Sequence, residues 1–341
     1  MQRSEKNGIL GGRDLKKLIK DFAPLVVFVV LFLFSSLWSE YFFTYKNLFN
    51  LLKQYSSLMM ISMGMLMVIL TGGIDLSVGS VVALSSVMSA YLNVTLGLPL
   101  WVAVIVTVVI GAFVGLFTGY LVSVRNIVAF VVTLATMSMA RGIAFTVSKG
   151  TPIPVTDENL WAYGAGSLAG IPFIVWTAAL VFAAAFLVLK FTSFGRFIQA
   201  IGSNATAVRL SGIMVKRYKL LVYVISSSIC ALGGIISTAR THVGSPIVGE
   251  GMELDAIAAV VIGGASLSGG KGTALNTLLG VLILGMIGNI MNLMNVPGYH
   301  QQIFKGVIII VAVLIQGESG GELASIKRAF TGLFKKDGAQ G

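Results

Sequence analysis

The chain has 341 residues, of which 56% are apolar and 11% charged, with 40 glycines and a mean hydropathy of +0.92. A water-soluble domain usually carries about 25% charged residues and about 7% Gly, so these figures exclude a soluble enzyme, a disordered chain and a disulfide scaffold. The net charge of +11 suits a nucleic acid or a membrane surface, and the placement of the basic residues decides between the two.

The first 21 residues are polar and basic, with Arg3, Lys6, Arg13, Lys16, Lys17 and Lys20. An apolar run from Phe22 to Trp38 follows, with no small-residue cleavage site early in it, and reads as an uncleaved first span. A spanning helix needs about 20 apolar residues. Ten candidates follow in order, at roughly 22–39, 55–71, 76–92, 100–122, 127–147, 173–189, 220–239, 254–266, 273–294 and 300–316. The eighth is too short and too rich in Gly to cross as an ordinary helix. With the N-terminus inside, the inner segments hold 18 Lys and Arg residues and the outer loops hold 4. That bias places both termini in the cytoplasm and turns the positive charge towards anionic lipid rather than nucleic acid. The expected organisation is a basic N-terminus over 1–21, a transmembrane region over 22–316 and a cytoplasmic tail over 317–341. The fold class is all-α: a polytopic membrane protein of about ten transmembrane segments, with short or broken Gly-rich helices.

Two stretches share the pattern G-G-x-x-L-S-x-G at an offset of 191 residues: Gly72-Gly73-Ile74-Asp75-Leu76-Ser77-Val78-Gly79 and Gly263-Gly264-Ala265-Ser266-Leu267-Ser268-Gly269-Gly270. Both follow a span running inward, which suggests a parallel internal repeat. In hydrocarbon, unwound backbone survives only where protein or a wet cavity surrounds it, and Gly-interrupted spans in corresponding positions mark a transport path. Gly72, Gly73, Gly263 and Gly264 are therefore candidates for that path. Gly111, Gly115 and Gly119 form a helix-contact stripe instead.

Asp75 lies between two apolar runs, where a carboxylate is costly. It serves either as an ion or proton site facing a cavity, or as a cap for the following helix together with Ser77. Arg141, late in the fifth span, either hydrogen-bonds a polar substrate, or snorkels outward or pairs structurally with an acid. Glu250, Glu253 and Asp255 cluster outside, before the eighth span; three acids could bind a cation, but such a cluster is more often a solvated face or a docking surface for a basic partner. His242 and His300 stand alone in their segments, too few for a metal site. Leu267-Ser268-Gly269-Gly270 matches the signature of ABC ATPases, but it lies in an apolar segment without any phosphate-binding G-x-x-x-x-G-K-[ST] loop. No nucleotide or other cofactor is expected on this chain.

The inner loop 190–219 holds six basic and no acidic residues. Within it Ala205 to Met214 is amphipathic, with Ala207, Leu210 and Ile213 or Met214 at helical spacing and Ser203 or Asn204 placed to cap it. A short helix that docks into a cytoplasmic partner explains it better than one lying on lipid.

Five ordered motifs resemble those of the permease subunits of bacterial ABC sugar importers. They belong to the ribose-type, monosaccharide branch of a wider family that includes branched-chain amino acid permeases. The motifs are TGGIDLSVGS at 71–80, TLATMSMARG at 133–142, GTPIPV at 150–155, AIGSNATAVRLSGI at 200–213 and VVIGGASLSGGKGT at 260–273, and the resemblance covers about 25–316. It implies a pathway built by two copies of the chain in the bacterial inner membrane, a cytoplasmic ATPase that uses ATP, and an extracytoplasmic sugar-binding protein. It further implies that Gly202, Asn204, Ala207, Arg209, Leu210, Gly212 and Ile213 couple the chain to the ATPase. Gly72, Gly73, Asp75, Arg141, Gly263 and Gly264 are then expected along the pathway, and Glu250 and Glu253 where the binding protein docks. An ion-coupled carrier working alone, with Asp75 as its ion site, is the alternative.

Overall fold

A computed structural model of the chain describes residues 8–317, with side chains described over 22–311 and at Leu314. Of the expected basic N-terminus, 1–7 lie outside the described residues and 8–21 are described as helical backbone alone; nearly all of the expected tail at 317–341 lies outside them. The chain forms two compact units, one through Asn295 and one from Val296. The first unit holds α1 (Gly8–Trp38), α2 (Tyr45–Leu70), α3 (Val78–Ala90), α4 (Leu100–Ser123), α5 (Ala129–Ser148), α6 (Glu158–Ala165), α7 (Phe173–Phe191), α8 (Ser193–Leu210), α9 (Val215–Thr241), α10 (Met252–Ile262) and α11 (Ala274–Leu293). The second is the helix α12 (Gly298–Gly317). Seven of these helices, one of them α3 with its π-helical extension through Thr95, are long and apolar enough to cross a membrane, and a shorter apolar helix covers Phe22–Trp38. The protein is an all-α polytopic membrane protein.

Each of the ten expected spans has a helix. α1 already runs from Gly8 rather than near 22, and α2 begins at Tyr45 rather than near 55. Its outer turns carry Lys46, Asn47, Lys53 and Gln54, so a hydropathy window misses them. Thr44 caps them, accepting from the Asn47 amide at 3.3 Å, and the Asn47 and Asn289 side chains exchange hydrogen bonds at 2.9 Å to fix α2 against α11. From Ser56 to Leu70 almost every side chain of α2 is buried, as suits a helix apolar all round.

α9 packs against α2, α3 and α4. Small residues let these backbones approach. A Cβ on Gly115 would stand 2.8 Å from the Val224 Cα, and one on Gly119 would stand 2.9 Å from the Leu220 carbonyl oxygen. The Gly111, Gly115 and Gly119 stripe is thus the seam between α4 and α9. Buried hydroxyls join the rest, with Ser86 to Thr238 at 2.7 Å and Ser57 donating to the Gly233 carbonyl at 3.0 Å.

The loop expected at 148–172 is folded. α6 lies within it, capped by Asp157, which accepts from the amides of Asn159 and Leu160 at 2.9 and 3.1 Å. Ile153–Pro154 pairs antiparallel with Val243–Gly244, and Trp161 stacks on His242 at 4.0 Å between ring centroids.

Candidate functional site

The first site is built from helix ends. α2 stops at the Thr71 cap, Gly72 takes a left-handed φ of +77°, and the amides of Gly72 and Gly73 turn back to the carbonyls of Ile69 and Val68 at 2.9 and 3.2 Å. α10 stops in the same way. Gly263 is its cap, Gly264 has φ of +82°, and the amides of Gly264 and Ala265 bond Val261 and Val260 at 2.8 and 3.1 Å. Both are Schellman ends, which need a residue without Cβ strain at the left-handed position. The structural match therefore equates Gly72 with Gly264, one residue out of step with the sequence match. After the first end the non-helical link is the shorter, 71–77, with Ser77 as cap of α3; after the second the backbone stays irregular over 263–273, until Thr273 caps α11.

The two links meet. The Gly270 amide donates to the Leu70 carbonyl at 3.0 Å, satisfying one of the last orphan acceptors of α2. A Cβ on Gly269 would stand 2.8 Å from the Gly72 nitrogen and 2.9 Å from the Gly202 Cα. A Cβ on Gly202 would strike the Leu70 carbonyl and the Gly270 amide. Three backbones, at Gly72, Gly202 and Gly269, are thus in contact with no side chain between them.

Gly202 belongs to α8, and two residues later the helix kinks at Asn204, where φ is −158° and ψ is 90°. There Asn204 restarts the helix, its side-chain oxygen accepting from the Ala207 amide at 2.9 Å. Gly212 ends the segment with φ of +81°. Ala207, Arg209 and Leu210 are exposed and Ile213 partly so; Leu210 at 81% is among the most exposed apolar side chains. Replacing Asn204 by Ala is expected to weaken this short helix by about 1 kcal/mol, while Asp keeps the acceptor. Faster limited proteolysis within 205–214 of the Ala variant alone would show it.

Asp75 is fully buried. Its Oδ1 accepts from the Ser77 amide at 2.9 Å and from the Ser77 hydroxyl at 2.6 Å, just before α3 begins. The second carboxylate oxygen has no partner among the described residues. The structure does not bring Asp75 together with Arg141.

A second constellation surrounds Arg141. The chain leaves α9, pairs with Ile153–Pro154, and then runs in consecutive turns along α3 so that the Ser245 amide bonds the Ser86 hydroxyl at 3.1 Å and Gly249 lies on Gly79. This brings Glu250 and Glu253 beside α5, and Glu253 against the position a Cβ on Gly79 would take. Arg141 Nη1 donates to the carbonyls of Pro246 and Val248 at 2.6 and 2.9 Å, tying α5 to these turns. A groove of about 390 Å³ lies between them, lined by Ser80, Met137, Ser138, Arg141, Phe145, Ile247, Glu250 and Glu253. Sequence reasoning missed Ser138 and Phe145, although positions 138, 141 and 145 share one helical face. Among the described residues no cluster of His, Cys, Asp and Glu is arranged to hold a metal ion.

The comparisons bear on what these sites serve. The family described as "Branched-chain amino acid transport system / permease component" matches residues 47–313. The ribose import permease protein RbsC of Escherichia coli (strain K12) is 43% identical over 299 residues, covering 86% of this chain and 92% of that protein. RbsC of Bacillus subtilis (strain 168) is 41% identical over 300 residues, covering 87% and 93%. The L-arabinose transport system permease protein AraH of Escherichia coli (strain K12) is 37% identical over 293 residues, covering 86% and 89%. No solved structure matches. With the family's match running over most of the chain, and relatives above 40% identity aligned over nearly their whole length, the chain belongs to this family of transport-system permease components.

Proposed function

We propose that the chain is the membrane subunit of an ABC importer and forms the pathway by which a monosaccharide crosses the bacterial cytoplasmic membrane. The observation that carries this reading is the exposed turn at 205–213. It presents Ala207, Arg209 and Leu210 outward while its base, Gly202, rests on both Gly-Gly links. A cytoplasmic ATPase seated on that turn would have a direct mechanical hold on the end of α2 and on the link between α10 and α11. The ribose and arabinose systems named among its relatives support a monosaccharide as cargo. ATP is used by the partner, and this chain needs no cofactor of its own. The termini and α8 face the cytoplasm, and a sugar-binding protein delivers cargo from outside.

A second copy of the chain completes the pathway. α5 leaves Ala135, Ser138, Gly142 and Thr146 exposed along one side, together with the partly exposed Arg141. Hydroxyls and a guanidinium on such a face are costly against lipid, and small residues favour a close helix contact. Two copies with α5 facing inward would enclose the Arg141 groove.

The test is reconstitution in liposomes with the ATPase and binding protein of the same transport system. Uptake of labelled monosaccharide is expected to require ATP inside, to stop with vanadate and to survive ionophores. Uptake by this chain alone, driven by an ion gradient, would overturn the reading.

A further inference from the structure

We infer that the Arg141 groove is a transit station that recognises a neutral polyhydroxylated ring, with Glu250, Glu253 and Arg141 binding its hydroxyls and Phe145 and Ile247 covering its C–H face. This deepens the importer reading and rests on it.

The groove carries charges that do not cancel by contact. Arg141 and the two glutamates line the same space, yet among the described residues no ion pair closes between them. Arg141 spends one nitrogen on the backbone of 246 and 248, and its other N–H groups make no bond among the described residues. The turns at 246–248 thus fix the guanidinium beside the groove with donors to spare, and Glu250 is exposed there as an acceptor. A ligand between them must offer acceptors to Arg141 and donors to the carboxylates. Vicinal hydroxyls do both, and hydrogen bonds to charged partners are the stronger kind.

Apart from Ser80 and Ser138, the remaining wall is apolar. Phe145 and Ile247 are 39% and 60% exposed, which leaves them free to meet the carbon face of a ring. The volume, about 390 Å³, sits at the small end of the range of roughly 300–1,000 Å³ for ligand sites, right for one sugar ring. Two acids against one base repel an anion, so sugar phosphates and sugar acids are excluded from the class. The contacts are few and half-open, as a station that must release its cargo requires.

The experiment uses the reconstituted importer with ribose and L-arabinose as probes. ATP-driven uptake by the unaltered complex establishes the importer; if neither this pair nor a wider monosaccharide panel is taken up, the importer reading itself fails. Given uptake, Glu250→Gln and Phe145→Leu are each expected to lower it about tenfold at limiting sugar, a loss of about 1.4 kcal/mol in transit. ATP hydrolysis stimulated by the loaded binding protein stays near the unaltered rate. Leu180→Ala, exposed on α7 and part of neither the groove nor the α5 face, is the control and leaves both unchanged. Because the lone Cys230 is buried, Ile247→Cys gives a second readout: millimolar ribose slows its alkylation in the permease–ATPase complex. Normal uptake in both groove variants, loss of uptake in step with loss of ATP hydrolysis, or alkylation indifferent to ribose would each overturn the station while leaving the importer standing.

Discussion

Gly202→Val is expected to abolish coupled uptake, lowering it by more than about tenfold, while the chain still inserts and still binds its ATPase. The reason is local. The added side chain would enter the contact between the Leu70 carbonyl and the Gly270 amide, the bond by which the second Gly-Gly link caps α2. Overpacking usually costs about 1–3 kcal/mol, and here the obstacles are backbone atoms that have no alternative rotamer. Relief must come from separating α8, α2 and the 266–271 link, which disconnects the exposed turn from the helices it would move. The docking face at Ala207, Arg209 and Leu210 lies beyond the Asn204 kink and is untouched. Gly202→Ala is the graded version, and its uptake should fall between the two. Co-purification of the ATPase, read beside uptake in liposomes, separates coupling from assembly. Normal uptake by the Val variant would mean that force reaches the membrane helices by another route.

This joint marks where the sequence stops being informative. Ten apolar runs were legible because hydrocarbon leaves a helix little choice of side chain. The short eighth span was legible too: α10 has 11 residues, about 16 Å at 1.5 Å per residue, too little to cross a core about 30 Å thick. The Gly-Gly motifs were visible as special backbone, and Gly202, Asn204 and Gly212 as punctuation of an amphipathic turn. That these motifs touch one another was not visible. Adjacency between Gly72, Gly202 and Gly269 is a property of packing, and glycines leave no complementary side chains to betray it. The offset of the repeat misled as well. The motif lines up Gly72 with Gly263, whereas the helix ends line up Gly72 with Gly264, because a cap is defined by its carbonyls and not by its letters.

The groove was half legible. Arg141 stood out as a charge inside a span. Glu250 and Glu253 read as an outer cluster because they precede an apolar run, but the chain from Val243 to Gly251 passes along α3 with no periodicity to announce it. Its course is held by the Ser245–Ser86 bond, by Gly249 on Gly79 and by the two carbonyls on Arg141. None of these couples residues close in sequence.

Asp75 tests whether a buried carboxylate in such a protein is chemistry or architecture. Its Oδ1 holds the amide and hydroxyl of Ser77 at the point where α3 must start after the short link that follows α2. Asp75→Ala removes both bonds and leaves a buried amide unsatisfied, at a cost of about 1–3 kcal/mol; a marked fall in membrane level and in melting temperature is the expected result. Asp75→Asn keeps an acceptor at Oδ1, so the start of α3 survives. Its uptake is expected to stay within about threefold of the unaltered chain, under about 1 kcal/mol on the transport barrier, and to remain dependent on ATP. An ion-coupled carrier would behave in the opposite way, since the neutral amide cannot exchange a proton or balance a cation. Normal amounts of Asp75→Asn with no uptake would show that the charge itself is used, and would make this carboxylate part of the transport cycle. The contrast between the two variants carries the argument, because only an architectural role predicts that the smaller, apolar side chain does the greater harm.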